Sequence, residues 1–280
     1  MQENAFELDA MMLSYDTGAH VFTSAARNAI TTFSSGIRYL GPLRAEPQAL
    51  QSFSPSGQPD DVGSHGEHAA AVYEANRAQP VRWWHPETNE IQTTALEVAM
   101  DAWLRYLAVA EHVGTQEAIH GFSWLVRITS ASRDRPLHAV GVGVSQILPI
   151  LVAGLLAPEG TILIIEQPEL HLHERPQARL ADFFYSLTKV NKQILVETHS
   201  SVLVNQLRFR LVKDGKEAAD AVAVYFVDCN AEGDARFERI QISPSGSVEN
   251  WPDGFFDESF RLEDRITREG IFKRGKRAGA

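Results

Sequence analysis

The sequence has a single cysteine, Cys229, so no disulfide can form within the chain and its stability has to come from packing. It is also short of positive charge: 26 Lys and Arg against 36 Asp and Glu leave a formal net charge of −10. Phosphate backbones are gripped by concentrated basic surface, which excludes a protein that holds nucleic acid by general electrostatics and leaves room only for a local basic patch. The one basic run, "FKRGKRAGA" from Phe272 to Ala280, is terminal and reads as a solvated, mobile end. Long apolar runs are missing as well. The greasiest segment, "ILPILVAGLLA" from Ile147 to Ala157, falls short of the roughly 20 residues a bilayer needs and contains Pro149, so it reads as a buried helix. The opening "MQENAFELDA" is acidic where a secretory leader would be basic and then apolar. Internal repeats and low-complexity tracts are absent too. A cytoplasmic protein without a membrane span is expected.

What the chain does have is core material: 44% of its residues are hydrophobic, ordinary for a soluble domain of 280 residues. The first third is the hardest part to read. "IRYLGPLRAEP" (Ile37 to Pro47) predicts a short strand entering a proline-bounded turn, and Ser52 to Glu67, rich in Ser, Gly, Pro and Asp, predicts an exposed loop. Thr94 to Val113 carries Leu96, Met100, Trp103, Leu104, Leu107 and Val109 near helical spacing, which predicts an amphipathic helix. "GFSWLVRITSA" then switches to the alternation of a strand.

The distal half alternates helix and strand: an apolar helix from Ser145 to Leu156, a strand from Thr161 to Ile165, a helix from about Pro176, the strand in "QILVETHS" with Ser200 or Ser201 as the next cap, and a further strand at Ala221 to Asp228. This predicts an α/β fold with a mostly parallel sheet covered by helices, preceded by an irregular N-terminal segment and followed by a small C-terminal extension. The corresponding boundaries are 1–135, 136–230 and 231–280.

Ligands of parallel sheets bind at the carboxyl ends of strands, where helix amino termini and loops converge. Glu166 ends one apolar strand, in "ILIIEQPELHLHERPQ", and Glu197, Thr198 and His199 end the next. A carboxylate at such an exit suits Mg²⁺, which takes oxygen ligands and keeps part of its water. A histidine beside it can hydrogen-bond a terminal phosphate. If the two strands are parallel neighbours, Glu166 and His199 open onto one edge.

The order "GVGVSQILPILV", "ILIIEQPELHLHERPQ", "ILVETHS" resembles the distal half of ABC-type ATPases, in the branch of the overcoming-lysogenisation-defect nucleases and related predicted AAA-type ATPases of bacterial defence loci. "YLGPLR" (Tyr39 to Arg44), "HGEHAAAV" (His65 to Val72) and "NWPDGFFDE" (Asn250 to Glu258) resemble a subgroup with an uncharacterised C-terminal domain. The resemblance implies ATP and Mg²⁺ as cofactors, Glu166 as the Walker B acid and metal ligand, and His199 as the switch histidine. It also implies Gly141, Gly143, Ser145 and Gln146 as the signature region that contacts the γ-phosphate held by an opposite protomer. Gln167 occupies the place of the catalytic glutamate, and since a glutamine orients water without acting as a base, hydrolysis would lean on Glu169.

The Gly-x-x-x-x-Gly-Lys-Ser/Thr string of a P-loop does not occur in the sequence. In the family it lies upstream of everything matched, so the chain is expected to be a partial P-loop NTPase core that works with itself or with a P-loop-bearing chain, through truncation, a split gene or degeneracy. Weak ATP binding by the chain alone is expected in each case. A nuclease effector in anti-phage defence follows from the family analogy only. Two other readings stay open. One is a non-catalytic ABC-like interaction subunit. The other is a metal-dependent hydrolase or nuclease in which His171 and His173, on one face if extended, bind Zn²⁺ or Mn²⁺ with Glu169, Glu174 or His199.

Overall fold

In chain order, β1 (Ile37–Leu40) is followed by α1 (Ala69–Asn76), β2 (Pro80–Trp84), β3 (Ile91–Ala95), α2 (Leu96–Leu107), β4 (His112–Ala118), β5 (Gly121–Arg127), β6 (Arg135–Pro136), a 3₁₀ turn at Leu137–Ala139, α3 (Val142–Leu156), β7 (Ile162–Glu166), α4 (Glu174–Thr188) and β8 (Gln193–Glu197). A second set follows: α5 (Ser201–Asp214), α6 (Lys216–Ala221), β9 (Val224–Cys229) and β10 (Ala235–Ile240). This computed structural model describes residues 36–45, 60–118, 121–230, 232–250, 252, 255–256 and 265–266. The weak signals before Gly36, residues 52–59 of the expected loop, Trp251 and the basic tail at 272–280 lie outside the described residues.

The chain divides into two units, Met1–His199 and Ser200–Ala280. The first is built on a parallel sheet in the order β1-β7-β8, in which Ile37 pairs with Ile162 and Glu166 with Glu197. Alternation along β7 sends Leu163 and Ile165 into the core and leaves Ile162, Ile164 and Glu166 on the other, more open face. Helix α3 is buried from Val144 to Leu156, as its almost continuous apolar sequence requires, and it forms the centre of the unit. Each fully buried Leu or Ile there contributes about 1.5–3 kcal/mol. Helix α2 buries Leu96, Met100, Trp103, Leu104 and Leu107, and the Trp103 ring meets Phe183 of α4 edge-on at 5.0 Å. Leu180, Phe183, Phe184 and Leu187 form the buried stripe of α4, and Val190 just beyond it is buried as well. The parallel sheet covered by helices is therefore the observed architecture. Antiparallel pairs β2–β3 and β4–β5–β6 stand beside it.

Two elements differ from expectation. The helix expected to reach Val113 stops at Leu107, with Ala108 left-handed at φ 58°, and Val113 is instead a buried residue of β4. The strand expected at Ala221 to Asp228 does not extend the parallel sheet. It is β9, and it pairs antiparallel with β10. Connection length sets the antiparallel direction of this pair: a parallel neighbour needs a crossover of a dozen or more residues, and only residues 230–234 separate β9 from β10. Asn230 builds that turn, its Oδ1 accepting from the Glu232 and Asp234 amides at 3.0 and 2.8 Å. In this second unit Val204, Ile240 and Phe255 form a small core that Phe226 and Phe256 join, and Ser200 caps α5 by accepting from the Leu203 amide at 3.1 Å. No helix among the described residues is long and apolar enough to cross a membrane.

Candidate functional site

The exits of β7 and β8 are one structure. Because the two strands are hydrogen-bonded neighbours running in the same direction, the Glu166 and Glu197 backbones lie side by side. The carboxylates leave on the same face of the pleat. The Gln167 amide continues the ladder, donating to Glu197 O at 2.9 Å. Gln167 itself takes φ +42°, a left-handed value that a side chain with a Cβ adopts only at a cost, and its carbonyl accepts from the Leu170 amide at 3.3 Å. The chain thus reverses sharply just after Glu166 and leaves that carboxylate partly exposed at the turn.

The three acids at this edge have different surroundings. Glu169 is 9% exposed and committed: Oε2 accepts from Thr198 Oγ1 at 2.8 Å and Oε1 from the His199 amide at 2.7 Å. Glu197 is half-exposed and its Oε1 lies 3.1 Å from Nε2 of His199, whose side chain is 76% exposed. Glu166 has the hydroxyl of Tyr39, on the neighbouring strand β1, against its carboxylate. Partial burial, together with the Glu166 charge and hydrogen bond, pushes that phenol above its ordinary range. Beneath them lies Arg44, 6% exposed. Burial lowers its pKa to about 10, and Glu169, Tyr39 and Glu166 pull the other way, so it is charged at neutral pH.

The residues expected to form the signature region sit at the start of α3. Gly141 is the N-cap residue, and Gly143 packs so closely on the loop after β7 that a Cβ there would lie 2.9 Å from His171 O. Gly141 and Val142 are exposed and Gly143 is partly so, whereas Ser145 and Gln146 are buried. The Ser145 hydroxyl turns back to donate to Val142 O at 2.6 Å, and Gln146 Nε2 reaches Ser145 Oγ at 3.5 Å. The backbone of Gly141 to Gly143, rather than the serine hydroxyl, is what this helix start offers to solvent.

His171 and His173 do not lie on an extended strand. They occupy the turn between β7 and α4, His171 is left-handed at φ 61°, and both are exposed. Among the described residues no three His, Cys, Asp or Glu side chains converge as a metal cage would require. The site can offer a cation the Glu166 carboxylate, with Glu197 beside it and water and phosphate oxygens completing the shell, and that all-oxygen donor set fits Mg²⁺ rather than Zn²⁺. Two members of the edge were given no role from the sequence: Tyr39 and Arg44. Glu197, named in the sequence as the end of its strand, pairs directly with Glu166.

Comparison with known proteins matches residues 88–204 to the AAA ATPase domain and residues 218–266 to a protein family of unknown function (DUF3696). The grouping expected from the sequence, an AAA-type ATPase domain followed by an uncharacterised C-terminal domain, is the one found. No curated protein matches. Among solved structures, one from work on ATP-driven dimerization and DNA-stimulated activation of SMC ATPases shares 11% identity over 61% of this chain and 91% of that chain, at a TM-score of 0.41. An Smc head bound to the C-terminal winged-helix domain of ScpA shares 12% over 65% of this chain and 48% of that one, at 0.41. An Smc head with an extended coiled coil, bound to the C-terminal domain of ScpA derived from Pyrococcus furiosus, shares 12% over 61% and 37%, at 0.37.

Proposed function

We propose that this chain, which joins an AAA-type ATPase segment at 88–204 to an uncharacterised domain at 218–266, supplies the metal and terminal-phosphate side of an ABC-type ATP site that a P-loop completes. The observation that carries the reading is the parallel pairing of β7 and β8, which sets Glu166 opposite Glu197 with His199 two residues further on, all at one sheet edge. When bound, Mg²⁺ would neutralise developing charge on the phosphate oxygens. Glu166 would hold it, through its own oxygen or through water. His199 would donate to the γ-phosphate once its ring leaves Glu197. Gln167, on its strained turn, would orient the attacking water by hydrogen bonds alone. Glu169, having both oxygens engaged, would hold the Thr198–His199 segment in place instead of accepting a proton.

The exposed backbone of Gly141 to Gly143 at the start of α3 supports a second contact, to a nucleotide bound by another protomer or subunit, so the working unit is a dimer or a split enzyme. The P-loop string is not in these 280 residues, and a P-loop from elsewhere has to cradle the phosphates. Coupling of closure to an effector such as a defence nuclease rests on analogy. Mixing the chain with a P-loop-bearing partner and measuring ATP turnover tests the reading: turnover that appears on mixing and vanishes with Glu166→Ala supports it. Turnover indifferent to Glu166 refutes the metal role.

Three features favour a second reading, a non-catalytic ABC-like interaction subunit. Gln167 is no base, Glu169 is occupied, and the Ser145 hydroxyl is turned inward. That subunit would bind the partner and leave its turnover unchanged whether Glu166 is present or replaced.

A further inference from the structure

Two strings from the sequence, "YLGPLR" and "HGEHAAAV", have no place in the chemistry above, and the structure brings them together. The loop after β1 and the loop before α1 are joined by two backbone hydrogen bonds, Gly41 N to Ser64 O and Ala45 N to His65 O, both 2.8 Å. Polar contacts stiffen the second loop: Asp61 Oδ1 accepts from the Gly63 amide at 2.9 Å and Glu67 Oε2 from the His65 amide at 2.8 Å. Gly66, at φ +72°, rests directly on Pro149 of α3, where a Cβ would come within 2.5 Å of the proline ring. Pro149 sits in mid-helix, so this bracket stands on the central helix of the unit.

At the bracket's other end is Arg44. Its Nη1 donates to Pro42 O at 2.9 Å and reaches across to Glu166 O at 2.7 Å and Gln167 O at 3.4 Å. Its Nε and Nη2 are buried with no hydrogen-bond partner among the described residues. An arginine in a core is costly, and one with two donors unsatisfied more so, and a fold retains such a group only where the contacts it does make matter. Those contacts fall on the two carbonyls that flank the left-handed turn after Glu166.

We propose that Arg44 is a positioning residue: braced through the 41–45 and 63–66 loops on Pro149, it clamps the Glu166–Gln167 turn and so fixes where the Glu166 carboxylate and the Gln167 amide point. The clamp is a property of the chain itself, while its use in turnover rests on the ATPase reading. The positive charge matters as well as the fork, because Arg44 lies close to the negative charges of Glu169 and Glu166 while its hydrogen bonds go to backbone carbonyls.

Hydrogen exchange of the full chain, followed on peptides covering 163–170 with 96–107 as internal control, tests this directly. Arg44→Met should speed exchange at 163–170 by about tenfold or more while 96–107 stays protected, and Arg44→Lys, which keeps charge and one donor, should lie between Met and wild type. Gly66→Ala should loosen the same 163–170 peptide, although residue 66 is far from it in sequence. With a P-loop-bearing partner, Arg44→Lys should lower kcat on the order of tenfold while KM for ATP stays within about threefold. Unchanged exchange at 163–170 in Arg44→Met overturns the proposal. Uniform acceleration that includes 96–107 overturns it too, by making Arg44 an ordinary core residue. If the local effect appears and wild type shows no turnover with any P-loop partner, the clamp stands and the ATPase reading falls.

Discussion

Glu166 and Glu169 are three residues apart and do opposite work. Glu166 leaves its strand on the open face with the Tyr39 hydroxyl against its carboxylate, and in the proposed reading it holds the cation. Glu169 is folded inward and spent on Thr198 and His199. Glu169→Ala should therefore cost about 2 kcal/mol or more, because it strands a hydroxyl and an amide that it now satisfies, and a urea midpoint shifted downward at unchanged slope would show it. Glu166→Ala should leave the same midpoint within about 0.5 kcal/mol and remove Mg²⁺-dependent nucleotide affinity in the complete assembly. Equal losses of stability in the two variants would contradict this division. From the sequence, Glu166 and His199 were legible because each follows an uninterrupted apolar strand, and strand exits of parallel sheets are where ligands bind. The opposed fates of Glu166 and Glu169 were not, since which carboxylate turns inward depends on the left-handed turn at Gln167. Arg44 was hidden for a related reason: its partners in that turn are carbonyls more than a hundred residues away, and backbone acceptors leave no mark in a sequence.

At the scale of elements, α3 is the part on which the others lean. Gly154 lies against Phe183 of α4 so closely that a Cβ would come within 2.7 Å of the ring. Gly154→Ala should cost about 1–3 kcal/mol by overpacking, read as a lowered Tm, even though alanine is the better helix former. The far end of α3 is closed by Lys192, which is 6% exposed and whose Nζ donates to Gly154 O at 2.8 Å and Leu155 O at 3.1 Å. Burial lowers the pKa of this ammonium to about 8. The unfolded chain binds that proton until about pH 10.4 and the folded chain releases it near 8, so stability attributable to Lys192 rises with pH across that window. Measured against Lys192→Met by denaturation at pH 7 and pH 10, wild type should gain on the variant as pH rises. A difference between the two that falls with pH would show that the terminal carbonyls of α3 outweigh burial in setting this proton. The apolar run of α3 was plain in the sequence because a helix buried all round needs no periodicity to be recognised. The strand at Ala221 to Asp228 was legible as a strand, but its antiparallel partner was not, because one apolar strand reads alike beside a parallel or an antiparallel neighbour. The short turn at 230–234 held the deciding information, in the number of residues available for a crossover.

For the whole molecule, the proposed site takes its phosphate-cradling portion from outside the 280 residues and its metal and terminal-phosphate side from the β7 and β8 exits. The chain alone should then show no saturable Mg²⁺–ATP binding by calorimetry up to about 1 mM, an affinity of only ~4 kcal/mol. The fold class and the order of elements around the site followed from helix–strand alternation in the distal half. How many polypeptides would complete the proposed site depends on surfaces that would meet only on assembly, and no periodicity encodes them. The most direct measurement of the central claim is a structure of the chain assembled with its P-loop partner, Mg²⁺ and a non-hydrolysable ATP analogue. The prediction is a Glu166 carboxylate oxygen bound to the cation at about 2.1 Å or through one water, with His199 turned from Glu197 to hydrogen-bond the γ-phosphate. A nucleotide seated away from the β7 and β8 exits, or His199 still on Glu197 with the phosphates elsewhere, would contradict it.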